Sequence, residues 1–141
     1  MFRFPRAFPR VNFTVIEVRY ERGVYLPQQD LWLDPWDAKR FAFVSHAHSD
    51  HIALHDEIIA SERTARLMRA RLPGARTEYV LPFGQRRTVR DLDLMLLPAG
   101  HIFVSAQFSF SAGMKHCFTP AILNCALGNP LKKQSGGKLI P

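Results

Sequence analysis

The sequence predicts an α/β fold, and three observations carry that prediction. Residues 40–46, "RFAFVSH", form a near-continuous apolar run, the pattern of a strand buried on both faces. Residues 61–74 read as a capped amphipathic helix closed by Pro73-Gly74. Around these two, short β-branched and aromatic segments recur between turn residues. Strands alternating with at least one helix define the α/β class. The 141 residues are one domain's worth of chain, and 47% hydrophobic content can fill a core.

The elements follow in order. "VNFTVIEVRY" (11–20) predicts a strand, Gly23 marks a turn, and "GVYLP" supplies the second arm of a hairpin. "LWLDP" (31–35) is a short strand stopped by Pro35. The apolar run then delivers Ser45 and His46 to a strand end, and "IIAS" (58–61) is another short strand. Ser61 is the helix N-cap, and Glu62 puts a negative charge in the first turn, where the helix dipole favours it. Over 62–72, Ala65, Leu67, Met68 and Leu72 recur at helical spacing, with Arg63, Arg66, Arg69 and Arg71 opposite. "EYVLPFG" (78–84), "RTVRD" (87–91) and "LDLMLLPA" (92–99) predict further strands.

Several classes are disfavoured by composition. No stretch approaches the roughly 18 apolar residues of a membrane span. "MFRFPRAFPR" lacks the apolar core of a secretory signal, and its two prolines oppose the amphipathic helix of a transit peptide. Cys117 and Cys125 make no disulfide framework, so a cytoplasmic location is expected. The formal charge of +7 is unevenly distributed. Residues 1–93 hold 15 of the 19 Lys and Arg and all 12 acids, leaving Lys115, Lys132, Lys133 and Lys138 in an acid-free tail. A basic surface suits a polyanionic partner, although a solvated basic face has the same composition.

The chemistry concentrates in "FVSHAHSDHIALH" (43–55). His46 and His48 stand two apart just after a buried strand, where an extended turn can aim both imidazoles at one ion. Asp50 and His51 then face a second ion. Nitrogen and carboxylate ligands together suit zinc, with manganese or iron as alternatives. A histidine-rich surface loop is the bland alternative. His55, four residues after His51, is expected at the surface.

The pattern His-x-His-x-Asp-His at a strand end resembles the metallo-β-lactamase-fold hydrolases. That resemblance implies an αββα sandwich, of which this chain would hold the N-terminal half. It also implies a further metal histidine after a later strand, and His101 in "LPAGHIFVSAQ" stands in that place. His46, His48 and His101 would hold one ion, and Asp50 and His51 the other, with Asp50 counted among the catalytic residues. Asp34 matches the acid that supports the metal ligands from behind, an Asp-Pro turn being the alternative. "DPWDAKRFAFVSHAHSDH", "LPFGQRRTV" and "LLPAGHIFVSAQ" narrow the likeness, over residues 11–108, to the nuclease branch around DNA-ligase-associated exonucleases and messenger-RNA 3′-end processing factors. Val104 departs from it, since the branch usually has glycine there. The implied activity is two-metal hydrolysis of a DNA or RNA phosphodiester by a metal-activated water. The implied partners are a nucleic acid and a DNA ligase of the same pathway, with no membrane. Arg86, Arg87 and the arginines of 63–71 are candidate phosphate contacts.

After "SAQF" the resemblance stops. The branch would continue through Tyr-Thr-Gly-Asp-Phe-Lys-x-Arg, whose Asp bridges both ions. Codons permitted for "FTPAILNCA" (118–126), regrouped one base earlier, spell Tyr-Thr-Gly-Asp-Phe-Lys-Leu-Arg. The tail, from between Phe108 and Met114, is therefore expected to be translated out of frame, a genuine divergent C-terminus being the alternative. Residues 1–110 are expected to form a partial domain, and 111–141 an irregular, unstructured tail. The bridging Asp and the family's last metal histidine would then be missing, leaving an inactive N-terminal fragment. The competing readings are another hydrolase of the same fold, such as a thioesterase or lactonase, and a non-catalytic module that binds metal or nucleic acid.

Overall fold

The computed structural model describes residues 16–100, 105–112 and 115–119. Two sheets and one helix account for most of them, so the content is mixed α/β and largely β. The first sheet has six strands in the order β1 (Arg19–Tyr20), β2 (Val24–Leu26), β3 (Leu31–Leu33), β4 (Phe41–Val44), β5 (Glu57–Ser61) and β6 (Thr77–Leu81). The strands β1 to β3 pair antiparallel, and β3 to β6 pair parallel. Helix α1 (Glu62–Arg71) is the crossover between β5 and β6. The second sheet is antiparallel, in the order β10 (Lys115–Thr119), β9 (Ala106–Ala112), β8 (Leu92–Pro98) and β7 (Arg86–Val89).

Strand β4 shows how sequence becomes layering. All four of its residues are buried, as its apolar run requires. Phe41 and Phe43 join the core between the two sheets, where Phe43 meets Phe108 of β9 edge-on at 4.5 Å between ring centroids. Val44 turns to the opposite face and packs with Ile58, Ala60, and Ala65 and Met68 of α1. The layers are therefore helix, six-stranded sheet and four-stranded sheet. On β8, Leu92, Leu94 and Leu96 point into the core, while Asp93, Met95 and Leu97 alternate to the outer face. Among the described residues no helix covers that outer face, and no helix is long and apolar enough to cross a membrane.

The helix begins as expected. The Ser61 hydroxyl accepts from the Thr64 N–H at 3.2 Å, and Glu62 occupies the first turn. Its buried face differs from expectation: Thr64, Ala65 and Met68 face the sheet, while Leu67 is exposed. Gly23 sits at φ 152°, and a Cβ there would lie 2.7 Å from Pro35 Cα. Glycine at this turn lets the first hairpin press against the Asp34–Pro35 corner.

Two expectations about the ends are revised or limited. The strand placed at 11–20 appears at Arg19–Tyr20, with residues 11–15 outside the described residues. The tail expected to be irregular instead begins with a strand, because Lys115–Thr119 pairs with β9 along its whole length. "KHCFT" carries residues that suit a pleated surface, and β9 offers an edge to pair with. Residues 120–141 lie outside the described residues.

The inter-sheet core predicts a measurable cost. Phe43→Ala removes a ring that is 2% exposed, and is expected to lower stability by about 3–5 kcal/mol. Urea unfolding followed by circular dichroism reads this as a fall in midpoint at unchanged slope.

Candidate metal centre

The site is built outward from the end of β4. The Ser45 N–H donates to Asp34 Oδ1 at 2.7 Å, and the Ser45 carbonyl accepts from the Ala106 N–H at 2.9 Å. The Thr64 hydroxyl approaches the same carbonyl at 3.5 Å. Ser45 Oγ lies 2.7 Å from His46 Nδ1. Asp34 reaches this point from the residue after β3. It adopts a left-handed backbone at φ 45° and donates its own N–H to the Phe43 carbonyl at 2.9 Å. Burial pushes the Asp34 carboxyl up from the usual carboxylate range, while the neighbouring His51 and hydrogen bonding from Ser45 act the other way. Asp34 thus acts in the fold as an acceptor for the strand end.

The next residues arrange four donors as two pairs. His46 Nε2 and His48 Nδ1 lie 3.0 Å apart, with the two rings at 80°. Asp50 Oδ2 and His51 Nε2 lie 3.6 Å apart. The His51 ring packs against His46 at 4.6 Å between centroids. A turn closed by the His51 N–H on the His48 carbonyl, at 3.0 Å, brings the pairs together. A tetrahedral ion with bonds of about 2.0–2.1 Å holds its ligand atoms roughly 3.3 Å apart, and the two spacings bracket that value. His46 and His51 are buried, whereas His48 and Asp50 are exposed, so each pair joins one buried and one exposed side chain. His51 Nδ1 is buried without a hydrogen-bond partner among the described residues. Each pair supplies two donors. Among the described residues no three His, Cys, Asp or Glu side chains gather to hold one ion. His101 and Val104 lie outside the described residues.

Three of the candidate phosphate contacts are engaged elsewhere. Arg71 donates from α1 to the Ala47 carbonyl, between the first two histidines. Arg69 pairs with Glu78, and Arg87 bonds Gln85 and the Arg86 carbonyl on the edge strand β7. Helical spacing gave no sign of the Arg71 contact, because Ala47 lies 24 positions away.

No protein-family model matches the chain. A curated protein named "Probable DNA ligase", from Opitutus terrae, is 55% identical over 92 residues, covering 64% of this chain. That stretch is 9% of the relative, so the chain spans a small part of the protein it matches.

His55 departs from the surface position expected of it. It is 1% exposed, and its Nδ1 accepts the Lys39 N–H at 3.1 Å, tying the histidine loop to the segment before β4. The pattern of spacing within the loop gave no sign of this, since Lys39 lies on a different segment. Burial, then the positive charge of Arg76, lowers its pKa to about 4. The unfolded chain therefore takes up this proton first as pH falls from about 6.5. Stability contributed by neutral His55 is complete above that value and is lost as pH falls toward 4. At pH 5 the loss is about 2 kcal/mol. His55→Asn keeps an acceptor for the Lys39 N–H and does not titrate. Its stability is expected to fall less than the wild type's between pH 7 and pH 5, as read by urea unfolding at both values.

Proposed function

We propose that this chain carries the metal-binding loop of a metal-dependent phosphodiesterase fold acting on nucleic acid, with DNA as the first substrate to test. The observation that carries the reading is two donor pairs within one six-residue turn, His46 with His48 and Asp50 with His51. Imidazole and carboxylate donors suit zinc, and manganese is the alternative metal. Such ions, when bound, would polarise a phosphodiester and lower the pKa of water. His46 and His48 would hold the first, joined in this proposal by His101, and Asp50 and His51 the second. Asp34 would orient the site from behind. The same layers support a metallo-β-lactamase-like αββα half, to which the helix, the six-stranded sheet and the four-stranded sheet would contribute.

The relative named "Probable DNA ligase" supports DNA as the substrate class, and a ligase as the enzyme that would act on the same ends. Among the described residues, exposed Arg86 on β7 and Arg66 on α1 are candidates to meet a phosphate backbone. The chain has no Asp or Glu after Asp93. Residues 94–141 therefore offer no carboxylate to link the two pairs. The proposed outcome is metal binding without efficient hydrolysis.

Zinc titration with a competing chromophoric chelator tests the binding, and end-labelled DNA and RNA with zinc or manganese test the hydrolysis. The wild-type chain is expected to bind zinc, with His46→Ala and His48→Ala each weakening binding by at least tenfold, and to cleave neither polymer above background. Lack of zinc binding would overturn the metal centre. Metal-dependent cleavage that is lost in His46→Ala would overturn the inactivity.

A further inference from the structure

Helix α1 and the turn after it carry more positive charge than their acids balance. Residues 61–78 hold Arg63, Arg66, Arg69, Arg71 and Arg76 against Glu62 and Glu78, a net charge of +3. Glu78 serves two of the five at once, its Oε2 accepting from Arg69 at 2.8 Å and its Oε1 from Arg76 at 3.0 Å. One carboxylate cannot neutralise two guanidiniums, so a positive charge is left over beside the helix. Arg63, Arg66 and Arg69 are exposed, and Arg69 keeps half of its side-chain surface in solvent. At i, i+3 and i+6 they are neighbours along the helix surface, where like charges repel. Arg63 also stands in the first turn, where the helix dipole disfavours a cation.

We propose that this arginine row is a docking face for the phosphate backbone of duplex DNA, one that works without metal. The inference rests on the reading of the chain as a DNA-directed protein and adds where the DNA lies. Three arginines spaced over six residues span about 9 Å of helix, which is roughly three phosphates at 3.4 Å of rise each. A polyanion laid along the row removes the repulsion among its cations. The row is also fixed beside the histidine loop. Thr64 Oγ1 approaches the Ser45 carbonyl at 3.5 Å, and Arg71 donates to the Ala47 carbonyl. Ala47 and Ile52 of the loop pack with Ala65 and Met68 on the inner side of α1. A strand held on the outer side therefore runs next to His48 and Asp50, the exposed members of the two pairs. The hairpin of β7 and β8 is a poorer track, because Asp91 and Asp93 offset its Arg86 and Arg87.

The test is fluorescence anisotropy of a labelled DNA duplex titrated with the full chain in the presence of chelator, between about 50 and 200 mM salt. The wild-type chain is expected to bind, and its affinity to fall about 40-fold over that range, the salt dependence of three phosphate contacts. Arg66→Gln is expected to lower the slope of log affinity against log salt by about one, and the double variant Arg63→Gln, Arg66→Gln by about two. Arg19→Gln removes an exposed charge from β1 and is expected to leave affinity and slope unchanged. Circular dichroism checks that each variant is folded. No binding at low salt, a slope that Arg66→Gln leaves unaltered, or one that Arg19→Gln lowers equally would overturn the docking face. Tighter binding of a matching RNA duplex would overturn the assignment to DNA. DNA binding in a chain that takes up no zinc would support the docking face and overturn the metal centre alone. Zinc uptake without DNA binding would overturn the docking face alone.

Discussion

The peptide groups of Ser45 are the junction on which the rest of the structure depends. A buried N–H or carbonyl left unpaired costs about 1–3 kcal/mol. Here the N–H is satisfied by Asp34 and the carbonyl by Ala106, at 2.7 and 2.9 Å. The second of these bonds runs from the six-stranded sheet to β9 of the other sheet, so the sheets are joined by more than side-chain packing. The junction also fixes where β4 ends, and the histidine loop begins at the next residue. A one-residue slip of β4 would send Phe41 and Phe43 toward the helix and Ala42 and Val44 into the inter-sheet core. The difference in bulk between these two sets forbids the slip, and so the hydrophobic pattern sets the position of the site.

What could be read from the sequence is what its local rules determine. The burial of β4, the Ser61 cap and the grouping of four donors in residues 46–51 depend on neighbours close in the chain. What could not be read depends on distant partners. His55 looks like a surface residue until Lys39 supplies an N–H from 16 positions away. Arg71 looks like a phosphate contact until the Ala47 carbonyl is brought under the helix, 24 positions away. Leu67 satisfies the helical pattern, yet α1 crosses the sheet in a way that buries Thr64 instead. The hydroxyl of Thr64 is tolerated there because Ser61 donates to it at 3.0 Å and the Ser45 carbonyl lies beyond it.

The strand at Lys115–Thr119 belongs to a different case. Composition and the lost resemblance both suggested an irregular segment, but backbone pairing asks little of particular side chains. The open edge of β9 offers hydrogen bonds to any extended segment that reaches it. Pairing of this kind adds a strand without adding chemistry, which fits a segment holding no Asp or Glu.

The division between local and distant contacts also bears on how binding and catalysis separate in this proposal. Four of the proposed ligands come from one turn of six residues, so docking of β4 is enough to bring them together. Three proposed donors for the first ion and two for the second would leave coordination positions open to water or phosphate oxygens, unlike the closed four-ligand arrangement of a structural zinc. Metal held in this way would favour the folded chain, by about 2.7 kcal/mol when free metal is a hundredfold above the dissociation constant. Catalysis needs the two pairs held at a fixed separation through the reaction, which a shared carboxylate provides and a turn with exposed His48 and Asp50 does not. On this proposal, the histidine loop would keep an affinity for metal, and a stabilising effect on the fold, where the phosphodiester chemistry is lost.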